Sequence, residues 1–122
     1  MDNCLFCKIA AKQIPASVVY EDDELLAFKD IRPHAPVHIL VIPKIHVATL
    51  SDCDASHTEL LGKMLALAPR LAKEHGCEVT WQDGTPGGGY KTLVNSGPDG
   101  GQEVYHLHLH MFGGPHPWRV ER

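Results

Sequence analysis

A chain of 122 residues that is 43% hydrophobic and 21% charged fits one globular domain with one core. Its formal net charge of −4 excludes the basic footprint of a nucleic-acid binder and argues against a polybasic membrane-surface role. No apolar run approaches the ~20 residues of a membrane span, and "MDNCLFCKIAAK" lacks the charged head and long apolar stretch of a signal peptide, so a cytoplasmic location is expected.

In chain order, residues from about Asn3 to Lys12 read as a short helix stopped before Pro15. Three strand-like runs follow, "SVVYE", "LLAFKD" and "HILVIP", the first two joined by the acidic turn "EDDE" as a hairpin. Ser56 followed by Glu59 has the spacing of a capping box and opens an apolar helix through Leu60, Leu61, Met64, Leu65 and Leu67. Gly76 suits its C-terminal cap. Pro69 predicts a kink or an earlier end, because an interior proline costs about 3 kcal/mol. "DGTPGGG" (Asp83 to Gly89) reads as a flexible loop. A strand "YKTLVN", a second glycine-rich loop "SGPDGGQ" and a strand from Val104 to Gly114 follow, and an irregular tail begins at about residue 113. Roughly five strands, one long helix and one short helix, joined by hairpin-length links, predict a single α+β domain on a mainly antiparallel sheet.

The last strand, "VYHLHLHMFGG", puts His106, His108 and His110 at every second position, hence on one face, with Leu107, Leu109 and Met111 on the other. Burying three imidazoles requires three separate hydrogen-bond partners, which marks this face as functional. At ~3.3 Å per residue, His106 and His110 stand about 13 Å apart along the backbone, too far to share one metal with ~2 Å bonds. The three therefore divide their labour. A neutral imidazole is a good nucleophile at neutral pH, and a neighbouring pair suits displacement at phosphorus. "SGPDGGQ", immediately upstream, has the glycines of a backbone cradle for an anion. His34, His38, His57, His75 and His116, taken singly, read as ordinary satisfied polar residues, and Cys53 and Cys77 as ordinary small ones. For Cys4 and Cys7 the C-x-x-C spacing leaves three readings open: metal ligands, a redox pair, or no special role.

"YHLHLHMFGG" resembles the H-x-H-x-H-x-x motif of the histidine triad superfamily. "LAFKDI", "HAPVHILVIPKIH" and "NSGPDGGQEVYH" are similar to its Hint branch, the nucleoside phosphoramidate hydrolases, and the likeness runs in order from Cys4 to Gly114. The resemblance implies a five-stranded antiparallel sheet with two helices, a homodimer with a continuous ten-stranded sheet, and a site for a purine nucleoside monophosphate. It implies that His108 is the nucleophile and that His110 contacts the phosphate and assists the leaving group. It matches Asp30 to the ribose hydroxyls; Ile31, Phe6, Ile9 and Phe28 to the walls around the base; Asn95 to the α-phosphate; and Gly101, Gln102 and Glu103 to the loop whose backbone reaches it. The zinc-bearing members match at Cys4, Cys7, His46 and His106, which implies a structural zinc with no metal needed for catalysis. The Fhit-like branch, which hydrolyses dinucleoside polyphosphates, carries glutamine where His110 stands. From a different class, a nucleotide-binding regulatory module with little turnover is the alternative. Three features depart from the family pattern: Glu103 replaces the serine of eukaryotic members, "CEVTWQDGTPGGG" lengthens the link before the next strand, and Trp118 aligns loosely with the family's C-terminal tryptophan.

Overall fold

The computed structural model describes residues 3–115 and 118, so most of the expected irregular tail, His116 included, lies outside the described residues. Its elements are α1 (Leu5–Ala10), β1 (Val18–Glu21), β2 (Leu25–Lys29), β3 (Val37–Pro43), α2 (Thr58–Glu74), β4 (Val79–Gln82), β5 (Thr85–Gly88), β6 (Tyr90–Leu93) and β7 (Leu109–Gly113). Five strands form one antiparallel sheet in the order β1-β2-β3-β7-β6, and the class is α+β as expected.

Strand alternation divides the core into two layers. Leu25, Ala27, Ile39, Val41, Leu109 and Met111 pack against α2, whose buried stripe is Leu60, Met64, Leu67, Ala68, Leu71 and Ala72. Leu26, Phe28, Leu40 and Ile42 point the other way, against Phe6 and Ile9 of α1. Leu60, Met64, Leu67 and Leu71 are not an apolar excess beyond what one sheet covers, because all four are buried within this single chain. They carry no argument for a dimer.

Local chemistry moves several expected boundaries. The helix begins at Thr58 rather than at a Ser56–Glu59 box. Ser56 donates both its N–H and its hydroxyl to Asp54 Oδ1, at 2.9 and 2.6 Å, within a 3-10 turn that precedes α2. An ionised carboxylate is the stronger acceptor and takes the capping role. Pro69 does not end α2, which continues to Glu74. Pro69 and Leu65 both lie on the solvent face, where the Leu65 carbonyl that the missing N–H leaves free is accessible to water.

"DGTPGGG" is not a flexible loop. β4 and β5 pair antiparallel through a two-residue turn at Asp83 and Gly84, both at positive φ (52° and 76°), the hairpin geometry that Asp-Gly favours. Pro86 and the glycines mask that signal in the sequence. The histidine strand is also shorter than expected. Regular pairing begins at Leu109, and His106 and His108 lie in the segment leading into it.

Candidate functional site

β3 and β7 carry the site on the α1 side of the sheet. Their register sets Leu40 opposite His110 and His38 opposite Phe112, so His38 and His110 are diagonal neighbours on one face. His38 Nε2 lies 3.0 Å from His110 Nδ1. His108 and His110 stack edge-on with ring centroids 4.9 Å apart, and Phe6 of α1 sets its ring edge-on to His108 at 5.1 Å.

The hydrogen bonds assign the ring protons. A carbonyl only accepts, so the 2.7 Å contact between His108 Nδ1 and the His106 carbonyl puts the proton on Nδ1 and leaves a lone pair on Nε2. His38 Nδ1 accepts from the His34 backbone N–H at 3.1 Å, which places the His38 proton on Nε2. His38 Nε2–H therefore donates to His110 Nδ1, and the His110 proton sits on Nε2. Adjacent imidazoles thus present opposite faces of their chemistry: an electron pair on His108 and an N–H donor on His110.

Burial favours the neutral form of each ring. It lowers the pKa of His108 and of His38, and it pushes His110 down to about 4 with help from the neighbouring His108 and His38. For His38 and His110 the sign of the linkage follows. The folded pKa of each lies below the unfolded value of about 6.5, so their contribution to stability is complete above about pH 6.5 and is lost as pH falls, for His110 down to about 4. Urea midpoints should hold steady above neutrality and decline through that window, and His110→Gln should flatten the decline. Identical pH profiles for the two proteins would contradict the assignment.

A cavity of about 250 Å³ opens at this face, lined by residues that include Phe6, Asp30, His34, Asn95, Gly101, Glu103, His108 and His110. Asp30 accepts the Arg32 N–H at 2.8 Å through Oδ1, and its Oδ2 lies 3.5 Å from His38 Nε2. Asn95 donates to the Gly100 carbonyl at 2.7 Å and closes the glycine loop. The Gln102 side chain is fully committed, accepting from Gly97 N–H and donating to the Ala48 and Val104 carbonyls. The backbone N–H groups of Gly101 and Gln102 are held by the Pro98 and Gly97 carbonyls. Glu103 alone of the three keeps an N–H with no partner among the described residues. Of the apolar residues expected around a base, Phe6 lines the cavity, whereas Ile9 and Phe28 lie in the core cluster with it. Ile31 is 90% exposed and outside the lining.

His106 belongs to a second cluster. Its Nδ1 lies 3.3 Å from Cys4 Sγ and 3.5 Å from Cys7 Sγ, while His46 Nδ1 lies 3.3 Å from Cys7 Sγ. All four ligand atoms fall within 4.8 Å of one another. Tetrahedral zinc with bonds of ~2.0–2.3 Å separates its ligands by about 3.3–3.8 Å, so the set fits that ion. His106 Nε2–H donates to the Pro43 carbonyl at 2.8 Å, which leaves the Nδ1 lone pair toward the sulfurs. Burial raises the Cys7 thiol pKa, so metal binding must expel a proton and strengthens with pH.

Asp30, His38 and His110 also lie within metal-ligating distance of one another. They do not suit an ion. His38 Nδ1 already accepts a backbone N–H, so its Nε2 would have to surrender its proton to bind metal.

His38 is the site residue that sequence reasoning missed. A polar residue inside the apolar run "HILVIP" was the available signal, but its partner lies 72 positions away and only strand pairing brings the two together.

The family model described as "Scavenger mRNA decapping enzyme C-term binding" matches residues 3–121. The chain is 52% identical over 115 residues to Protein HitA of Neisseria gonorrhoeae, covering 94% of this chain and 99% of that one. It is 42% identical over 113 residues to the purine nucleoside phosphoramidase of Escherichia coli K12, covering 93% and 88%. A 14 kDa zinc-binding protein of Zea mays is 45% identical over 112 residues, covering 90% and 80%. Among solved structures, a HIT family hydrolase from Legionella pneumophila superposes with a TM-score of 0.85 at 49% identity, covering 95% and 97%.

Proposed function

We propose that this chain, which belongs to the histidine triad superfamily, hydrolyses the P–N bond of purine nucleoside phosphoramidates. The observation that carries the reading is the pair of opposed tautomers, a lone pair on His108 Nε2 beside a proton on His110 Nε2. His108 attacks the α-phosphorus, the P–N bond breaks and a nucleotidyl-histidine forms. His110 takes up a proton when the phosphate binds, and this imidazolium gives a proton to the departing nitrogen, which leaves as the amine. The phosphate's negative charge raises the His110 pKa from its low resting value and favours this role. Water then cleaves the P–N bond to His108 and releases the nucleoside monophosphate.

The Glu103 N–H is the proposed backbone donor to the phosphate, with Asn95 at the loop end, and the Asp30 carboxylate accepts from the ribose hydroxyls. Phe6 forms the apolar wall nearest the nucleophile, backed by Ile9 and Phe28, and Ile31 caps the base at the solvent edge. Gly101 and Gln102 shape the loop. No lysine or arginine is among the residues lining the cavity. One phosphoryl group beside neutral imidazoles suits that lining better than a polyphosphate does.

Zinc is the proposed occupant of the Cys4, Cys7, His46 and His106 cluster. The donor set supports it, and the maize relative is named a zinc-binding protein. When bound, the ion supplies a structural cross-link, since four protein ligands leave no open position for water.

We also propose a homodimer joined through β6, one of the two edge strands of the five-stranded sheet. An uncovered edge strand is a template for pairing, and Leu65 on the outer face of α2 is 57% exposed. Light scattering at micromolar concentration should give twice the 13.4 kDa chain mass. A stable monomer would refute the assembly.

Steady-state kinetics on adenosine phosphoramidates, guanosine phosphoramidates and diadenosine polyphosphates test the activity. The phosphoramidates should exceed the polyphosphates in kcat/KM by at least about 100-fold, some 2.7 kcal/mol in transition-state binding. The reverse order would make the chain a polyphosphate hydrolase. Tight nucleotide binding without turnover of any substrate would make it a regulatory module.

A further inference from the structure

The metal cluster lies against a second cavity, of about 510 Å³, whose lining includes Cys4, Leu5, His46, Glu103 and Tyr105. It is open to solvent, and both cysteines of the cluster are half-buried rather than enclosed. Cys4 is the N-cap of α1, and its Sγ accepts the Cys7 N–H at 3.3 Å, so both sulfurs stand at the first turn of that helix. The two Sγ atoms lie within 4.8 Å of each other on one C-x-x-C turn, a gap that side-chain rotation can close to bonding distance.

We propose that Cys4 and Cys7 are an oxidisable pair, and that a peroxide-class oxidant converts them to a disulfide, expels the metal and weakens nucleotide binding through α1. The proposal rests on the zinc reading above. In the step itself, the Cys4 thiolate attacks the O–O bond of hydrogen peroxide, giving a sulfenic acid and hydroxide. The Cys7 thiolate then displaces hydroxide from that sulfur and the S–S bond forms. Two thiolates lose two electrons, one peroxide becomes two hydroxides, and the zinc ion departs with two of its four ligands gone.

The consequence follows from how α1 is held. Six residues are far below the ~12–15 that an isolated helix needs, so packing and the metal keep it in place. Zinc ties α1 to His46, just beyond β3, and to His106, ahead of β7. A Cys4–Cys7 disulfide ties the helix only to itself. Phe6 is then held by packing alone, and Phe6 sets its ring against both His108 and Phe28 and lines the nucleotide cavity. The remaining thiols do not compete. Cys77 is buried, in close contact with Gly113, and Cys53 has no neighbouring cysteine in sequence.

The test uses zinc-loaded Cys53→Ser protein and one equivalent of hydrogen peroxide per chain. Zinc release is followed with a chromophoric chelator, the linkage by intact mass and peptide mapping, and AMP affinity by calorimetry. The expected result is stoichiometric zinc release, loss of the mass of two hydrogens and a mapped Cys4–Cys7 bond. AMP binding should weaken at least about fivefold, as for loss of one aromatic wall of a small site, and dithiothreitol with zinc should restore it. Zinc retained under excess peroxide, oxidation to sulfinic acid without a disulfide, or a disulfide with unchanged AMP affinity would each overturn the proposal. A chain that takes up no zinc at all before oxidation refutes the metal reading itself, which separates the two failures.

Discussion

Replacing His108 with alanine should abolish turnover, lowering kcat by at least about 10³-fold, while AMP still binds. The expectation rests on one atom. His108 Nε2 carries the lone pair because Nδ1–H is held by the His106 carbonyl at 2.7 Å. No other ring of the triad offers the same electron pair to the cavity. His106 directs its Nδ1 at the cysteines and its Nε2 at Pro43, and His110 holds its proton on Nε2. Removing the nucleophile therefore removes the covalent route rather than slowing it. Quenching wild-type enzyme during turnover should trap a nucleotidyl adduct that maps to His108, and His108→Ala should yield none. Near-normal kcat in the variant, or an adduct on His106, would overturn the mechanism.

Stripping zinc from the folded protein should lower Tm by on the order of 10 °C. The free energy of a structural zinc in small peptides is about 10–16 kcal/mol, most of which there creates the fold itself. Here the sheet and α2 bury a core that includes none of the four ligands, so a few kcal/mol is the expected share. The loss is local. Cys4 caps α1 and Cys7 lies within it, while His46 and His106 belong to the sheet side, so a bound ion would join the two. Activity at room temperature should fall only as α1 loosens, in step with the loss of structure. Scanning calorimetry before and after chelation, with elemental analysis of protein purified without chelator, measures both. An unchanged Tm, or well under one zinc per chain, would refute the site. Activity that returns only with zinc while structure stays constant throughout would make the metal catalytic instead.

How much was legible in the sequence depended on the range over which each feature is determined. The period-two pattern of "HLHLHM" assigned opposite faces to the histidines and to Leu107, Leu109 and Met111, and the pleat of an extended chain makes that consequence unavoidable. The spacing from His106 to His110 likewise pointed to two separate sites, and they stay apart in the structure although His106 lies ahead of the regular strand β7. Nearest-neighbour signals fared less well where two of them competed. Asp-Gly followed by Pro-Gly-Gly-Gly reads as a loop but forms a hairpin, and Ser56 reads as a cap but donates to Asp54.

The sequence by itself determined the antiparallel α+β class, the apolar stripe of α2 and the shared face of the three histidines, since each follows from spacing along a few turns or residues of chain. Only the tertiary structure decided which ring nitrogens carry protons, because that depends on the Pro43 and His106 carbonyls and on the His34 N–H at the far ends of His106, His108 and His38. It alone brought His38 to His110, spent the apolar residues of α2 inside one chain, and used the N–H groups of Gly101 and Gln102 within their own loop. Each is a contact between segments distant in sequence or a choice among rival hydrogen-bond acceptors. Neither is encoded in a local pattern, because the free energy that settles it is gained only once β3 and β7 are paired.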